Sequence, residues 1–239
     1  MAGGYATWPL IRFSVIGEAW KQYKKHWVVW SLAMLIVMTG YSVITAGLFA
    51  LFDVGRVHGP AGGFRLFLFG TGPLAPFFVS TAVSSFFLGG MVRVASNQLL
   101  GRAPRVEDLL TVGDVWFDLL LVSILNAAAT SLGFMLCCIP GFIISGLFML
   151  AIPLVVESRL PATGALIQSW NALKSQWLLA TVFHWVLIIA SASGALLCGI
   201  GILLTGPLYC LSIAILYREF FPAMDFGAWK KHAEPFPEI

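Results

Sequence analysis

Two neutral polar side chains lie within long apolar stretches of the sequence and could take part in chemistry there. His184 is surrounded by aromatic and aliphatic residues, and Asn126 is followed by three alanines. A histidine in this setting relays a proton or binds a ligand, or else it hydrogen-bonds to a serine or threonine of a neighbouring helix. The run after Asn126 predicts a close helix contact secured by one amide. We name both residues as candidate intramembrane polar contacts.

A polar cluster between two apolar stretches is the second candidate. Its charged residues follow Gly101 within a few positions, and they are Arg102, Arg105, Glu107 and Asp108, with Asp114 further on. Such a loop either docks a soluble partner, for instance an ATPase, or is a solvated connection.

Catalytic and cofactor motifs are missing from the sequence. The four cysteines, Cys137, Cys138, Cys198 and Cys210, all have apolar neighbours, and their spacing matches no metal motif. We find no nucleotide-binding loop, serine elbow or paired-carboxylate motif. We therefore expect no cofactor, no metal, no catalytic residue and no enzyme activity, and we interpret the cysteines as buried structural thiols.

The composition is that of an integral membrane protein. Of 239 residues, 59% are hydrophobic and 10% are charged, whereas a soluble domain carries roughly 25% charged residues. The mean hydropathy is +0.90. Several apolar stretches are about 20 residues long, enough for a helix to cross a hydrocarbon core roughly 30 Å thick.

We predict an all-α protein with six spans. The apolar runs are continuous and lack the alternation of barrel strands, so they favour helices. The first run begins only after several charged residues, so we expect it to be a span and not a cleavable signal peptide. The predicted spans are residues 28–52, 74–94, 118–138, 142–156, 178–198 and 202–217.

The distribution of lysine and arginine predicts the orientation. Twelve of the 14 basic residues fall on the N-terminal side of the predicted spans, and only Arg56 and Arg65 fall on the other side. The positive-inside rule then places both termini in the cytoplasm. The modest net charge of +3 is distributed by topology, so nucleic-acid binding gains no support.

Two amphipathic segments precede predicted spans one and five. Aromatic and aliphatic residues recur at steps of three and four, as in one face of a helix. Tryptophan on this face and lysine around it are typical of a helix lying in the headgroup plane near anionic lipid. The first stripe is Phe13, Ile16, Trp20, Tyr23 and Trp27, and the second is Leu166, Trp170, Leu173 and Trp177. The candidate interface anchors are Trp20, Lys24, Trp27, Trp170, Lys174 and Trp177.

The two segments also resemble each other in sequence. Residues 18–27 align without gaps to residues 168–177, with both tryptophans and one lysine coinciding. Four crossings separate them, so this predicts a parallel internal repeat. Convergence of interface helices on similar chemistry is the alternative explanation.

These observations give a three-part organisation. Residues 1–27 form an N-terminal segment with the first interfacial helix. Residues 28–221 form the six-span domain, which includes the second interfacial helix at 162–177, and residues 222–239 form a cytoplasmic tail. Pro140-Gly141 predicts a tight turn, while Pro153 and Pro207 predict bends in spans four and six. We place Arg93 and Asp118 at cytoplasmic span ends, where they reach water.

The layout resembles a broad group of bacterial six-span proteins that includes the YciC-like proteins and the membrane domain of some glycerophosphodiester phosphodiesterases. The resemblance covers roughly residues 10–221, and its short motifs are residues 14–27, 101–109, 138–141, 153–157, 165–177, 206–207 and 217–218. It implies a fold and a bacterial inner membrane location. The phosphodiesterase catalytic domain has no counterpart here, so no activity transfers.

Three functions remain open at this point. The first is a non-catalytic membrane protein that interacts with lipids or is accessory to envelope maintenance. The second is the permease component of an exporter with a separate ATPase, and the third is a structural subunit of a larger membrane complex. The lack of an acidic group deep within the predicted spans argues against an ion-coupled carrier.

Overall fold

The structure, a computed structural model, describes residues 9–51, 74–136, 138–196 and 201–222. The described residues form α-helices joined by short 3-10 turns, and they contain no strand. The α-helices are α1 (Ser14–Lys25), α2 (Trp27–Leu51), α3 (Leu74–Leu99), α4 (Trp116–Leu136), α5 (Cys138–Leu147), α6 (Ala151–Ser158), α7 (Ala162–Leu173), α8 (Trp177–Ala192) and α9 (Ile202–Phe220). The predicted all-α class is confirmed for this part of the chain.

Five helical segments among the described residues are long and apolar enough to cross a membrane: Trp27–Gly47, Trp116–Leu136, Ile139–Ser158, Ala162–Ala192 and Ile202–Phe220. They coincide with five of the six predicted spans to within a few residues, although the fourth segment also takes in α7. The predicted second span, residues 74–94, falls within α3, which is a 26-residue helix but is not among the five.

Proline accounts for the interruption of the predicted fourth span. The helix pauses in a turn at residues 148–150, between α5 and α6. Pro153 cannot donate a hydrogen bond to the carbonyl of Met149, and its ring would clash with that carbonyl in a continuous helix. In the first turn of α6 Pro153 needs no such bond. Pro207 lies within α9, which is continuous.

The helices form an outer and an inner layer. Only 11%, 17% and 22% of the residues are buried in the apolar segments of α2, α4 and α7–α8, against 56% for the α5–α6 segment and 50% for α9. Helix α3 also buries much of its C-terminal half, for example Met91, Val94 and Ala95. We call α2, α4 and α8 the outer helices and α3, α6 and α9 the inner helices. The three inner helices pack against one another.

The packing repeats around these inner helices. Three hairpins, α2–α3, α4–α5/α6 and α8–α9, each pair one outer helix with its successor. Each outer helix also packs on the preceding hairpin, so that α2 contacts α9, α4 contacts α3 and α8 contacts α5. The short helix before each hairpin also packs on an inner helix of the preceding hairpin. Helix α1 contacts α9, the 3-10 helix Val106–Leu110 contacts α3, and α7 contacts α6. The contacts therefore close into a ring of three.

Several predicted features lie outside the described residues. These are Arg56 and Arg65 of the predicted non-cytoplasmic loop, Cys137 and Cys198, and the tail beyond Pro222. The turn predicted at Pro140-Gly141 is instead the first turn of α5. Cys210 is a buried free thiol, as expected.

Candidate interfacial and ionic sites

Five partly exposed tryptophans, three at the starts of the outer helices and two within α1 and α7, form what we call the tryptophan belt. Trp27, Trp116 and Trp177 are the first residues of the three outer helices, and Trp20 and Trp170 occupy matching positions in α1 and α7. Between 39% and 57% of each side chain is exposed. Four of the five were predicted as interface anchors. Trp116 was missed, although its position at the start of an apolar run was a readable signal.

The predicted amphipathic stripe of α1 is divided between two faces. Tyr23 is buried with Val15 and Ala19 against the rest of the protein, whereas Trp20 and Trp27 are exposed. The stripe expected to lie wholly in the headgroup plane is therefore partly a packing face, because α1 is docked on α9. In α7 the division is the same, since Leu173 is buried and Trp170 is exposed.

The two candidate lysines have different partners. The ammonium of Lys24 lies 5.4 Å from the ring centroid of Trp20, within the range of a cation–π contact. Trp20 in turn stacks on Tyr23, with 5.4 Å between ring centroids. Lys174 donates a hydrogen bond of 2.9 Å to the side-chain oxygen of Asn171. Both lysines therefore stay beside the belt at the protein surface.

Polar contacts hold α1 in place at both ends. Gln98 of α3 accepts a 2.6 Å hydrogen bond from the Trp30 indole and donates one of 2.7 Å to the Gln22 carbonyl. Arg12 forms an ion pair with Glu219 of α9, whose hydrogen bond and charge raise the pKa of the arginine. Gln176, just before α8, bonds to the backbone of residues 9 and 11. No sequence pattern had indicated these long-range bonds.

A group of charged residues lies where the three inner helices meet, and we call it the ionic centre. Glu157 of α6 interacts electrostatically with Arg93 of α3 and Arg218 of α9. Both carboxylate oxygens of Glu157 are enclosed and have no hydrogen-bond partner in the described structure. Ser96 lies beside this carboxylate, but its hydroxyl also lacks a hydrogen bond of standard geometry. Each inner helix therefore contributes one charged residue to the ionic centre.

Asp114 anchors the rim of the ionic centre. Its carboxylate pairs with Arg159 and lies 3.6 Å from a terminal nitrogen of Arg93. Arg159 follows the last residue of α6 and has a positive φ of 52°. This left-handed conformation is uncommon for residues other than glycine. Next to it, the hydroxyls of Ser158 and Tyr217 are 2.6 Å apart.

The ionic centre corrects the placement of Arg93. We expected Arg93 at a span end in contact with water, but α3 continues to Leu99 and the Arg93 side chain is only 18% exposed. Asp118 lies near the start of α4, as expected, and its carboxylate accepts the backbone N–H of Ala162. The sequence signal for this centre was a charged residue at the end of three predicted spans, namely Arg93, Glu157 and Arg218.

The two candidate intramembrane residues do not meet. Asn126 accepts a 3.3 Å hydrogen bond from Thr130 of its own helix, and among the described residues its side chain makes no hydrogen bond to another helix. His184 is buried beside the rings of Trp185 and Tyr209, with 6.3 and 6.0 Å between centroids. Its Nδ1 atom has no hydrogen-bond partner among the described residues, so the expected bond to a serine or threonine is not made at that atom.

The candidate partner loop is folded onto α3. Arg105 and Asp108 bond to each other at the start of the 3-10 helix, and the backbone of Leu109 packs on Gly90. Arg102, Arg105 and Glu107 remain exposed. The loop thus presents charges on a fixed backbone.

The described residues contain no group of three or more His, Cys, Asp or Glu side chains that could hold a metal ion. In comparisons with known proteins, no family model matches the sequence, and no curated protein and no solved structure matches it. The features from which a function can be inferred are therefore the tryptophan belt, the ionic centre and the partner loop.

Proposed function

We propose that this protein is a non-catalytic, lipid-interacting protein of the bacterial inner membrane that is accessory to envelope maintenance. The observation that carries the proposal is the tryptophan belt, in which three half-exposed indoles begin the outer helices and two lie within α1 and α7. Lys24 lies over the Trp20 ring, and Lys174 follows Trp170 by four residues. An indole ring is favoured at the boundary between hydrocarbon and headgroups, and lysine there attracts anionic lipid.

The outer helices support a lipid environment. Their exposed residues are large and apolar, for example Leu35 and Ile36 of α2 and Ile189 of α8. In water such surfaces would be an aggregation hazard, whereas in a bilayer they match the surrounding hydrocarbon. Polar and charged groups are instead drawn inward at the ionic centre, which is where ionisable residues within membranes are normally found.

The proposal includes six spans, with α3 as the second, and cytoplasmic N and C termini. It is supported by the length of α3 and by the excess of lysine and arginine on the N-terminal side. With this topology the belt and the ionic centre lie toward the cytoplasmic face. Membership of the YciC-like group is part of the same proposal.

We also propose that the chain contains a parallel internal repeat. Residues 26 and 176, which coincide in the gapless alignment, have nearly the same backbone angles, φ −135° and ψ 37° against φ −131° and ψ 38°. Three buried positions also coincide, pairing Val15, Ala19 and Tyr23 with Ala165, Ser169 and Leu173. The ring of three hairpins suggests that the middle hairpin is a further, more divergent copy.

A transporter role is the second candidate, and the partner loop is the observation that favours it. Its exposed charges, Arg102, Arg105 and Glu107, are held on a fixed backbone, as would suit a docking surface for a separate ATPase. In that case the protein would be a permease component of an exporter. A structural subunit of a larger complex is the third candidate.

The test is mild extraction of the full chain at native expression, followed by mass spectrometry of co-purified lipids and proteins. The lipid-interacting proposal predicts retained anionic phospholipid and no stoichiometric protein partner. An equimolar ATPase would replace it with the permease reading, and a constant set of other membrane proteins would make the chain a complex subunit. An extract with neither lipid nor partner would contradict the proposal.

A further inference from the structure

An apolar cavity of about 510 Å³ lies between α2, α3, α8 and α9. Its size falls within the range of sites that bind small ligands. The wall includes Val37 of α2, Phe87 and Met91 of α3, Ile188 of α8 and Gly206 of α9. It lies between the third hairpin and the first, away from the ionic centre and the partner loop, and neither of those features uses it.

The chemistry of the wall excludes a charged or strongly hydrated ligand. All its lining side chains are uncharged, and its only polar side-chain atoms other than sulfur are the hydroxyls of Tyr41, Ser84, Ser191 and Tyr209. Ser84 already donates to a backbone carbonyl, and the hydroxyl of Ser191 is buried without a partner. A buried water needs about two to four polar partners. The wall therefore suits a hydrocarbon.

The cavity reaches the protein surface on its lipid-facing side. Tyr41 of α2 and Ala192 of α8 line it and are themselves exposed. They lie 14 and 15 residues after Trp27 and Trp177, about 21 Å along a helix. Under the proposed topology this opening is in the non-cytoplasmic half of the bilayer, where exposed α2 residues such as Val43 meet hydrocarbon. A lipid can enter there without crossing water.

We infer that this cavity binds one acyl chain of a phospholipid from the non-cytoplasmic leaflet. The inference rests on the proposed lipid-interacting function and adds a specific site to it. The chain's methylene groups would lie along Val37, Phe87 and Met91. Burial of methylenes against this wall is favoured by packing and not by transfer from water, because the chain comes from hydrocarbon.

The experiment uses the full chain in nanodiscs that contain a phospholipid with a photoreactive diazirine on its acyl chain, read out by peptide mass spectrometry. We expect labelling of cavity residues such as Met34 and Met91 that saturates and is displaced by unlabelled phospholipid. Exposed residues such as Leu35 should label in proportion to lipid, without saturation. Labelling of the surface alone, or cavity labelling that does not saturate, would overturn the inference.

A pair of variants gives a matched control. Ala192→Phe places an aromatic ring at the cavity opening, whereas Ser193→Phe places one on the neighbouring exposed residue that does not line the cavity. We expect Ala192→Phe to lose cavity labelling and Ser193→Phe to keep it, and equal labelling in both would contradict the site. Absence of saturable labelling in the wild-type chain, with native phospholipid retention intact, would remove this inference and leave the proposed function standing. Saturable cavity labelling in a chain that retains no native phospholipid would support the cavity site and contradict the proposed function.

Discussion

Gln98 offers a quantitative test of how α1 is held on the membrane domain. Its side chain is 7% exposed and joins three helices, accepting from the Trp30 indole at 2.6 Å and donating to the Gln22 carbonyl at 2.7 Å. Replacing it with leucine keeps most of the volume but removes both hydrogen bonds. The Trp30 side chain is fully buried, so its N–H is left without water or another partner.

The expected cost follows from the two orphaned groups. A buried donor or acceptor that loses its partner costs about 1–3 kcal/mol. The Trp30 N–H is fully buried and the Gln22 carbonyl is only partly buried, so Gln98→Leu should lower the free energy of unfolding by about 3 kcal/mol in total. In a Trp30→Phe background the indole N–H no longer exists, and the Gln98→Leu cost should fall by about half.

The assay is reversible unfolding of the purified chain in mixed micelles, followed by far-UV circular dichroism and by limited proteolysis after Lys24 and Lys25. Asn97→Leu is the matched control, because Asn97 is the neighbouring residue of α3 and its side chain makes no hydrogen bond to the described residues. We expect that control to change stability by less than about 0.5 kcal/mol. Equal stability of Gln98→Leu and Asn97→Leu would refute the reasoning.

Four further substitutions test the packing and the polar contacts. A Cβ at Gly90 would lie 2.4 Å from the Leu109 carbonyl oxygen, so Gly90→Ala should lower the free energy of unfolding by about 1–3 kcal/mol. Gly17 has open space around it, so the control Gly17→Ala should raise the free energy of unfolding by about 0.5–1 kcal/mol. Similar effects of the two substitutions would contradict the contact between the loop and α3. The Asp114 side chain is 37% exposed, so Asp114→Asn should lower the free energy of unfolding by less than about 1 kcal/mol at low salt and by nothing measurable at high salt. A large loss of stability that does not depend on salt would contradict this solvent-screened ion pair. Tyr217→Phe removes a 2.6 Å hydroxyl contact and should lower stability by about 1 kcal/mol, and an unchanged melting temperature would argue against that bond.

Sequence patterns predicted the helical class and most helix positions because the hydrophobic signal is local. Runs such as residues 202–217 carry no charge, and the charges begin directly after them at Arg218. The pause at residues 148–150 also follows from a local rule, the missing N–H of Pro153. The tryptophan belt was largely predictable for the same reason, since interface tryptophans follow helical spacing.

The remaining features depend on which helices meet, and that information is not local. Glu157, Arg93 and Arg218 are far apart in the sequence and come together only because the three inner helices pack against one another. The division of the α1 stripe has the same cause, because packing against other helices buries Tyr23 and leaves Trp20 exposed. A helix in isolation would present both residues to the same environment.

The most direct test of the lipid-interacting function is the number of phospholipids retained per chain, measured by native mass spectrometry after mild extraction. The variant is Trp20→Leu with Trp170→Leu, which removes one indole from each interfacial helix. The control is Phe134→Leu with Phe142→Leu, which changes two exposed aromatics near the α4–α5 connection. We predict that the tryptophan variant loses anionic phospholipid several-fold while the control retains it. Equal retention in the wild type and both variants would contradict the account.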